Sequence, residues 1–107
     1  MRFSFIIIYF FSASLMADVM RVVVLGSGTP RPDINRFSQS ILVETGERKL
    51  LFDAGRGATI RLSQAGINIA DIDRVFLTHL HSDHILGLPD ILMTGWIYRR
   101  HSPLEIF

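Results

Sequence analysis

The run Arg74-Val75-Phe76-Leu77-Thr78, followed by His79-Leu80-His81-Ser82-Asp83-His84, decides how this chain is read. Its first half is β-branched and aromatic, the composition of a short buried strand. Its second half places three His and one Asp within six residues at the strand's carboxyl end. In extended backbone, side chains two apart point the same way, so His79 and His81 are expected to present both imidazoles to one ion, with Leu80 turned to the packed side. Ser82-Asp83 suits a turn, after which Asp83 and His84 arrive from a different direction. Four ligands so crowded do not close around one tetrahedral ion, whereas two ions about 3.5–4 Å apart can share them. The reading is a two-metal site with His79, His81, Asp83 and His84 as ligands. The bland alternative is a surface loop of polar side chains, and the density of ligand types speaks against it. A helical metalloprotease motif is excluded, because it needs His-Glu-x-x-His and the stretch holds no Glu.

Composition narrows the chemistry around that stretch. The chain has 107 residues, 49% hydrophobic, which bounds it to one small domain. Eleven Lys and Arg are offset by ten Asp and Glu and scattered along the chain, so charge alone lends no support to a nucleic-acid partner. With no Cys, disulfides, thiolate ligands and thiol nucleophiles are all excluded, and a metal must be held by imidazole and carboxylate.

Upstream of the motif, Met1 to Ala17 stands apart. Arg2 precedes an almost wholly apolar Phe3 to Phe11, and Ser12-Ala13-Ser14-Leu15-Met16-Ala17 offers small residues where a signal peptidase cuts. Residues 1–17 therefore read as a secretory leader. The alternatives are an uncleaved extension and a stretch upstream of a true start at Met20. The apolar core is shorter than the ~18–20 residues of a stable membrane span.

Arg21-Val22-Val23-Val24-Leu25 is a buried-strand run ended by Gly26-Ser27-Gly28-Thr29-Pro30. A dinucleotide-binding loop is the reading to test there. It fails, because the third glycine position is Arg31 and a strand pair, not a crossover helix, follows. Arg31 to Phe37 reads as a surface loop, and Ser40 to Thr45 and Arg48 to Phe52 as a hairpin across Gly46-Glu47. Asp53 would on residue type alone cap the next helix. That helix is expected over Ala58 to Ala65 with Gly66 beyond its end. Past the motif, Ile85, Leu88, Leu92 and Met93 carry helical spacing entered around Pro89. Trp96 and Tyr98 read as core or rim aromatics, Arg99-Arg100 as a solvated pair and His101 as a loop residue.

His-x-His-x-Asp-His after an apolar strand, with Gly87-Leu88-Pro89 following and Phe52-Asp53-Ala54-Gly55 preceding, resembles the metallo-β-lactamase-fold hydrolases. Leu25-Gly26-Ser27-Gly28-Thr29-Pro30 and Pro103-Leu104-Glu105-Ile106-Phe107 are most similar to the ribonuclease Z and arylsulfatase-like branch. The resemblance runs from about Arg21 to Phe107. It implies an α/β fold: the N-terminal half of a four-layered αβ/βα sandwich, a mixed sheet with helices on its outer face and without its partner sheet. Residues 21–107 are then expected to be a truncated part of a longer domain with one apolar sheet face exposed.

The resemblance also implies a chemistry. Two Zn²⁺, or other divalent ions, would sit at His79 and His81 and at Asp83 and His84. A later His, a bridging Asp and a last His of the family have no counterpart in these residues. Asp83 would be the catalytic group, orienting or deprotonating a nucleophilic water, and Asp53 would stand behind the ligands and orient a ligating His. The implied substrate is a phosphodiester, a sulfate ester or a related small-molecule ester, with lactams disfavoured by the Gly-x-Gly-Thr-Pro start. A genuine leader would export the protein to the periplasm or the medium. Without one it would be cytoplasmic, and a tRNA 3′-processing endonuclease-like activity comes into play. An inactive truncated member and a membrane-tethered module are the other classes. Family members often form homodimers, though no stretch of the sequence marks an interface.

Overall fold

A computed structural model describes residues 19–107, so the leader reading of residues 1–17 lies outside the described residues. Five strands form one sheet in sequential order: β1 (Met20–Gly26), β2 (Ser40–Thr45), β3 (Arg48–Phe52), β4 (Arg74–Phe76) and β5 (Glu105–Ile106). The first three form an antiparallel meander, and β4 and β5 then add in parallel, giving the mixed sheet the sequence implied. Because β1 pairs antiparallel with β2, no crossover helix follows the Gly26-Ser27-Gly28 loop, as a dinucleotide site would require.

Alternation sorts the strands into two faces. Leu42, Leu51 and Val75 lie opposite one another across β2, β3 and β4 and are fully buried. Helices cover this face: α1 (Ala58–Gln64) contributes Ala58 and Leu62, and α3 (Leu88–Ile97) contributes Ile91. A 3₁₀ turn at Ile69–Asp71 closes the cluster with Ile69, and Ile72 follows it. Gly66, at φ 74°, ends α1 by donating its N–H to Ser63 O, while Ile67 N–H reaches Leu62 O; a side chain here would carry the left-handed penalty.

The other face is apolar too and largely open. Val24, Ile41, Phe52 and Phe76 form one cross-strand row, which Phe107 extends by stacking on Phe76 at 5.2 Å, with Phe52–Phe76 at 5.0 Å. Val24 is 63% and Phe107 64% exposed, so the layer that would cover them is not made by the described residues. Among the described residues, no helix is long and apolar enough to cross a membrane.

Three local expectations are corrected. Leu80 does not face the packed side but is 74% exposed, because β4 ends at Phe76 and the chain from Leu77 to His81 leaves the sheet, where strand alternation no longer governs direction. The turn expected at Ser82-Asp83 takes the form of a single helical turn, α2 (Ser82–Ile85). Trp96 and Tyr98, expected in the core or at its rim, lie on the open surface. Arg100 is not solvated: its Nη1 donates to Ile72 O and its Nη2 to Ile69 O at 2.8 Å. Burial lowers its pKa from the usual arginine value, with Asp71 and Asp73 opposing, and the group remains a cation. Ile72 O, just past the 3₁₀ turn, thereby gains a partner, and Ile69 O, which already accepts from Ile72 N–H at 3.3 Å, gains a second.

Candidate metal centre

The site lies at the carboxyl ends of the parallel pair β3 and β4, the position where such sheets leave backbone free to reach a ligand. Register puts Asp53, the residue after β3, beside the chain leaving β4, and Asp53 N–H donates to Phe76 O at 2.8 Å. Asp53 is 7% exposed and sits at φ 60°, a left-handed conformation that Asp tolerates better than most residues. Its side chain caps no helix; the residue at the start of α1 is Gly57, without a side-chain cap, so the capping reading of Asp53 is overturned.

Instead, the Asp53 carboxylate gathers the motif around itself. Thr78 N–H donates to Oδ1 at 2.8 Å, Thr78 Oγ1 lies 3.0 and 2.9 Å from the two oxygens, and His84 Nδ1 lies 2.7 Å from Oδ2. Burial alone would raise the Asp53 carboxyl's pKa. The Thr78 N–H, the His84 and Thr78 side chains and the attraction of His84 outweigh it, so the carboxyl is held below the usual carboxylate value. An ionised carboxylate only accepts, so His84 must donate from Nδ1, which in the neutral ring leaves the lone pair on Nε2.

The backbone fixes α2 against the same segment. Ala54 N–H donates to His84 O at 2.8 Å and Gly87 N–H to Ala54 O at 2.7 Å. Gly55 permits the approach: a Cβ there would stand 2.3 Å from Asp83 O. His79 and His81 occupy the exposed loop before α2, and Asp83 and His84 the half-buried turn itself.

The four ligand-type side chains converge as two pairs. His79 Nε2 and His81 Nδ1 are 3.0 Å apart, and His84 Nε2 and Asp83 Oδ2 are 3.6 Å apart. With metal–ligand bonds of ~2.0–2.1 Å, two donors on one tetrahedral ion stand about 3.3 Å apart, so both separations fit donors that share an ion. The rings of His79 and His84 pack at 3.9 Å, which brings the two pairs side by side. Among the described residues, no three His, Asp or Glu side chains meet on one point as a ready-made metal site. The residues fit a divalent metal by donor type, by spacing and by the carboxylate behind His84.

Thr78 was missed at the level of sequence. Its hydroxyl touches Asp53, His79 Nδ1 at 3.0 Å and, at 3.4 Å, His84 Nδ1. A Thr at a strand end carries no signal of its own, and only the register against β3 gives it these neighbours. His101, expected in a loop, is exposed after α3.

Comparison with known proteins follows the same outline. The family described as "Anti-Pycsar protein Apyc1" matches residues 20–107. Ribonuclease Z of Mycobacterium sp. (strain KMS) is 42% identical over 90 residues, which are 82% of this chain and 32% of that protein. Human tRNase Z, short form, superposes with a TM-score of 0.74 at 31% identity, over 82% of this chain and 34% of that one. The metallo-β-lactamase-fold protein YhfI of Bacillus subtilis superposes with a TM-score of 0.74 at 27% identity, over 84% and 36%. The chain thus spans about a third of the length of these relatives. Its antiparallel-then-parallel sheet, the ligand-rich turn after β4 and these likenesses agree, and the chain belongs to the Anti-Pycsar protein Apyc1 family, in the ribonuclease Z-like branch of the metallo-β-lactamase fold, of whose N-terminal portion it has the form.

Proposed function

We propose that this chain carries half of the metal centre of a metal-dependent hydrolase that cleaves phosphodiesters, RNA being the first substrate to test. The observation that carries the reading is the pairing of donors: His79 Nε2 with His81 Nδ1 for one ion, and Asp83 Oδ2 with His84 Nε2 for a second, behind which Asp53 holds His84. Zn²⁺ suits this set of imidazole and carboxylate donors, and bound divalent ions supply Lewis acidity and make hydroxide available near neutral pH. Within that arrangement His79, His81 and His84 bind as neutral imidazoles. Asp83 binds, and its carboxylate is also the group here suited to orient or take the proton of an attacking water. The phosphodiester choice is supported by the ribonuclease Z and tRNase Z names of similar proteins. A sulfate ester has no comparable support.

The domain reading belongs to the same proposal: residues 21–107 form the first part of a longer domain, whose remaining part covers the Val24–Phe107 face and completes each half-set of ligands. Residues 1–17 are proposed as an export leader. The test is metal content by elemental analysis of the purified chain beside His81→Ala, together with hydrolysis of an activated phosphodiester and of a tRNA precursor. Zinc that is weakly held, lost in His81→Ala and unaccompanied by turnover is expected. Zinc content identical in both proteins would overturn the assignment of the first pair, and full turnover by this chain would overturn the half-centre reading.

A further inference from the structure

We propose that Thr78 is a positioning residue that sets the ring of His79 for metal binding, by passing the acceptor character of Asp53 on to His79 Nδ1. The inference rests on the metal-centre reading above. It starts from a constraint on one proton. Thr78 Oγ1 has a single hydrogen and, within 3.4 Å, the two oxygens of Asp53, His79 Nδ1 and His84 Nδ1. The Asp53 oxygens only accept, and the closer of them to His84 already receives the His84 Nδ1 hydrogen at 2.7 Å. A hydroxyl hydrogen turned to either ring would leave Thr78 Oγ1 facing a carboxylate lone pair at 2.9–3.0 Å with nothing between. The hydrogen therefore points to Asp53, and the hydroxyl oxygen presents only lone pairs to His79.

The contact with His79 Nδ1 at 3.0 Å then requires that nitrogen to donate. A neutral imidazole with its hydrogen on Nδ1 has its free lone pair on Nε2, the atom of His79 that faces His81 Nδ1 at 3.0 Å. One carboxylate thus selects the tautomer of both histidines, His84 directly and His79 through the Thr78 hydroxyl. The Thr78 N–H bond to Asp53 Oδ1 at 2.8 Å holds the backbone from which the hydroxyl reaches the carboxylate. Both Thr78 and His79 are exposed, so water competes for His79 Nδ1 once the hydroxyl is gone, and the effect is one of bias rather than of folding.

The experiment compares the wild-type chain with Thr78→Val, which keeps the shape, and Thr78→Ser, which keeps the hydroxyl. Long-range ¹H–¹⁵N correlation of the histidine rings, recorded above the range in which imidazole is protonated, reads the tautomer without any metal. The wild type and Thr78→Ser are expected to show His79 with its hydrogen on Nδ1. Thr78→Val is expected to shift His79 towards the mixed population of a solvated imidazole while His84 keeps its own tautomer. Zn²⁺ affinity by calorimetry is expected to fall about tenfold in Thr78→Val and to recover in Thr78→Ser. A wild-type His79 protonated on Nε2 would overturn the proposal whether or not any variant folds. An unchanged His79 tautomer in a folded Thr78→Val would overturn it equally. A wild type with His79 protonated on Nδ1 that binds no Zn²⁺ would overturn the metal-centre reading and, with it, the role of Thr78 towards a metal, while leaving the hydroxyl contact established.

Discussion

Replacing Asp53 tests the physical core of this site. In Asp53→Ala, the Thr78 N–H, the Thr78 hydroxyl and the His84 Nδ1 hydrogen lose their common acceptor. The hydroxyl can turn away and His84 can reach water, but the backbone N–H of Thr78 has no such freedom, so at least one donor is left unsatisfied, at about 1–3 kcal/mol. Losing a hydrogen bond from His84 to a charged acceptor adds ~1.5–3 kcal/mol, partly offset because a buried carboxylate no longer has to be desolvated. Ala at the φ of 60° that Asp53 adopts adds roughly 1–2 kcal/mol. The expected loss is about 3–5 kcal/mol, enough to unfold much of a small domain with one open sheet face. Asp53→Asn keeps one carbonyl acceptor and the tolerance for left-handed backbone, and should lose only about 1–2 kcal/mol. With the amide oxygen kept on the Thr78 N–H, its NH₂ group faces His84 Nδ1 as a donor and cannot accept, so His84 should change tautomer and weaken its metal binding even where the fold survives. Urea unfolding followed by far-ultraviolet circular dichroism is the assay; Trp96 is 74% exposed and a poor reporter of the core. An Asp53→Ala protein within ~0.5 kcal/mol of the wild type, a change typical of an uninvolved surface residue, would refute the reasoning, as would an Asp53→Asn protein less stable than Asp53→Ala.

Three further outcomes are expected. Gly55→Ala should push α2 away from the Asp53–Gly55 segment, because its Cβ would meet Asp83 O at 2.3 Å; zinc titration should show at least tenfold weaker binding, of the size seen when a ligand's support is disturbed. Arg100→Ala should lower stability by about 1–3 kcal/mol in urea by orphaning Ile72 O and removing one of the two donors to Ile69 O, and Arg100→Lys should recover at most half, since an ammonium lacks the planar fork that reaches both carbonyls. Zinc at a hundredfold excess over its dissociation constant should stabilise the chain by ~2.7 kcal/mol, seen as a rise in melting temperature that a chelator reverses; no shift in the presence of measured binding would mean that metal binds the unfolded chain equally well.

Much of the architecture was legible because it is written in short-range patterns. The β2–β3 hairpin fell at Ser40–Thr45 and Arg48–Phe52, as alternation and Gly46-Glu47 indicated, and α1 began at Ala58, with Gly66 just past its end. The grouping of His79, His81, Asp83 and His84 was equally local, since six consecutive residues cannot stray far from one another. What sequence could not supply was anything that depends on which strands become neighbours. Asp53 and Thr78 are 25 residues apart; residue type offered a helix cap and the family resemblance an orienting role toward a ligating His, but only the parallel register of β3 on β4 brings Thr78 to the same carboxylate and shows His84 as the histidine it holds. Arg100 likewise reads as a solvated charge until the chain after α3 returns it to the carbonyls of the 3₁₀ turn. Leu80 shows the opposite failure, an apolar residue assigned inward by a strand period that had already ended at Phe76. Periodicity and spacing report forces between near neighbours in the chain, while the left-handed backbone at Asp53 and the contacts of its carboxylate with Thr78 and His84 join separate segments, and exist only once the sheet has formed.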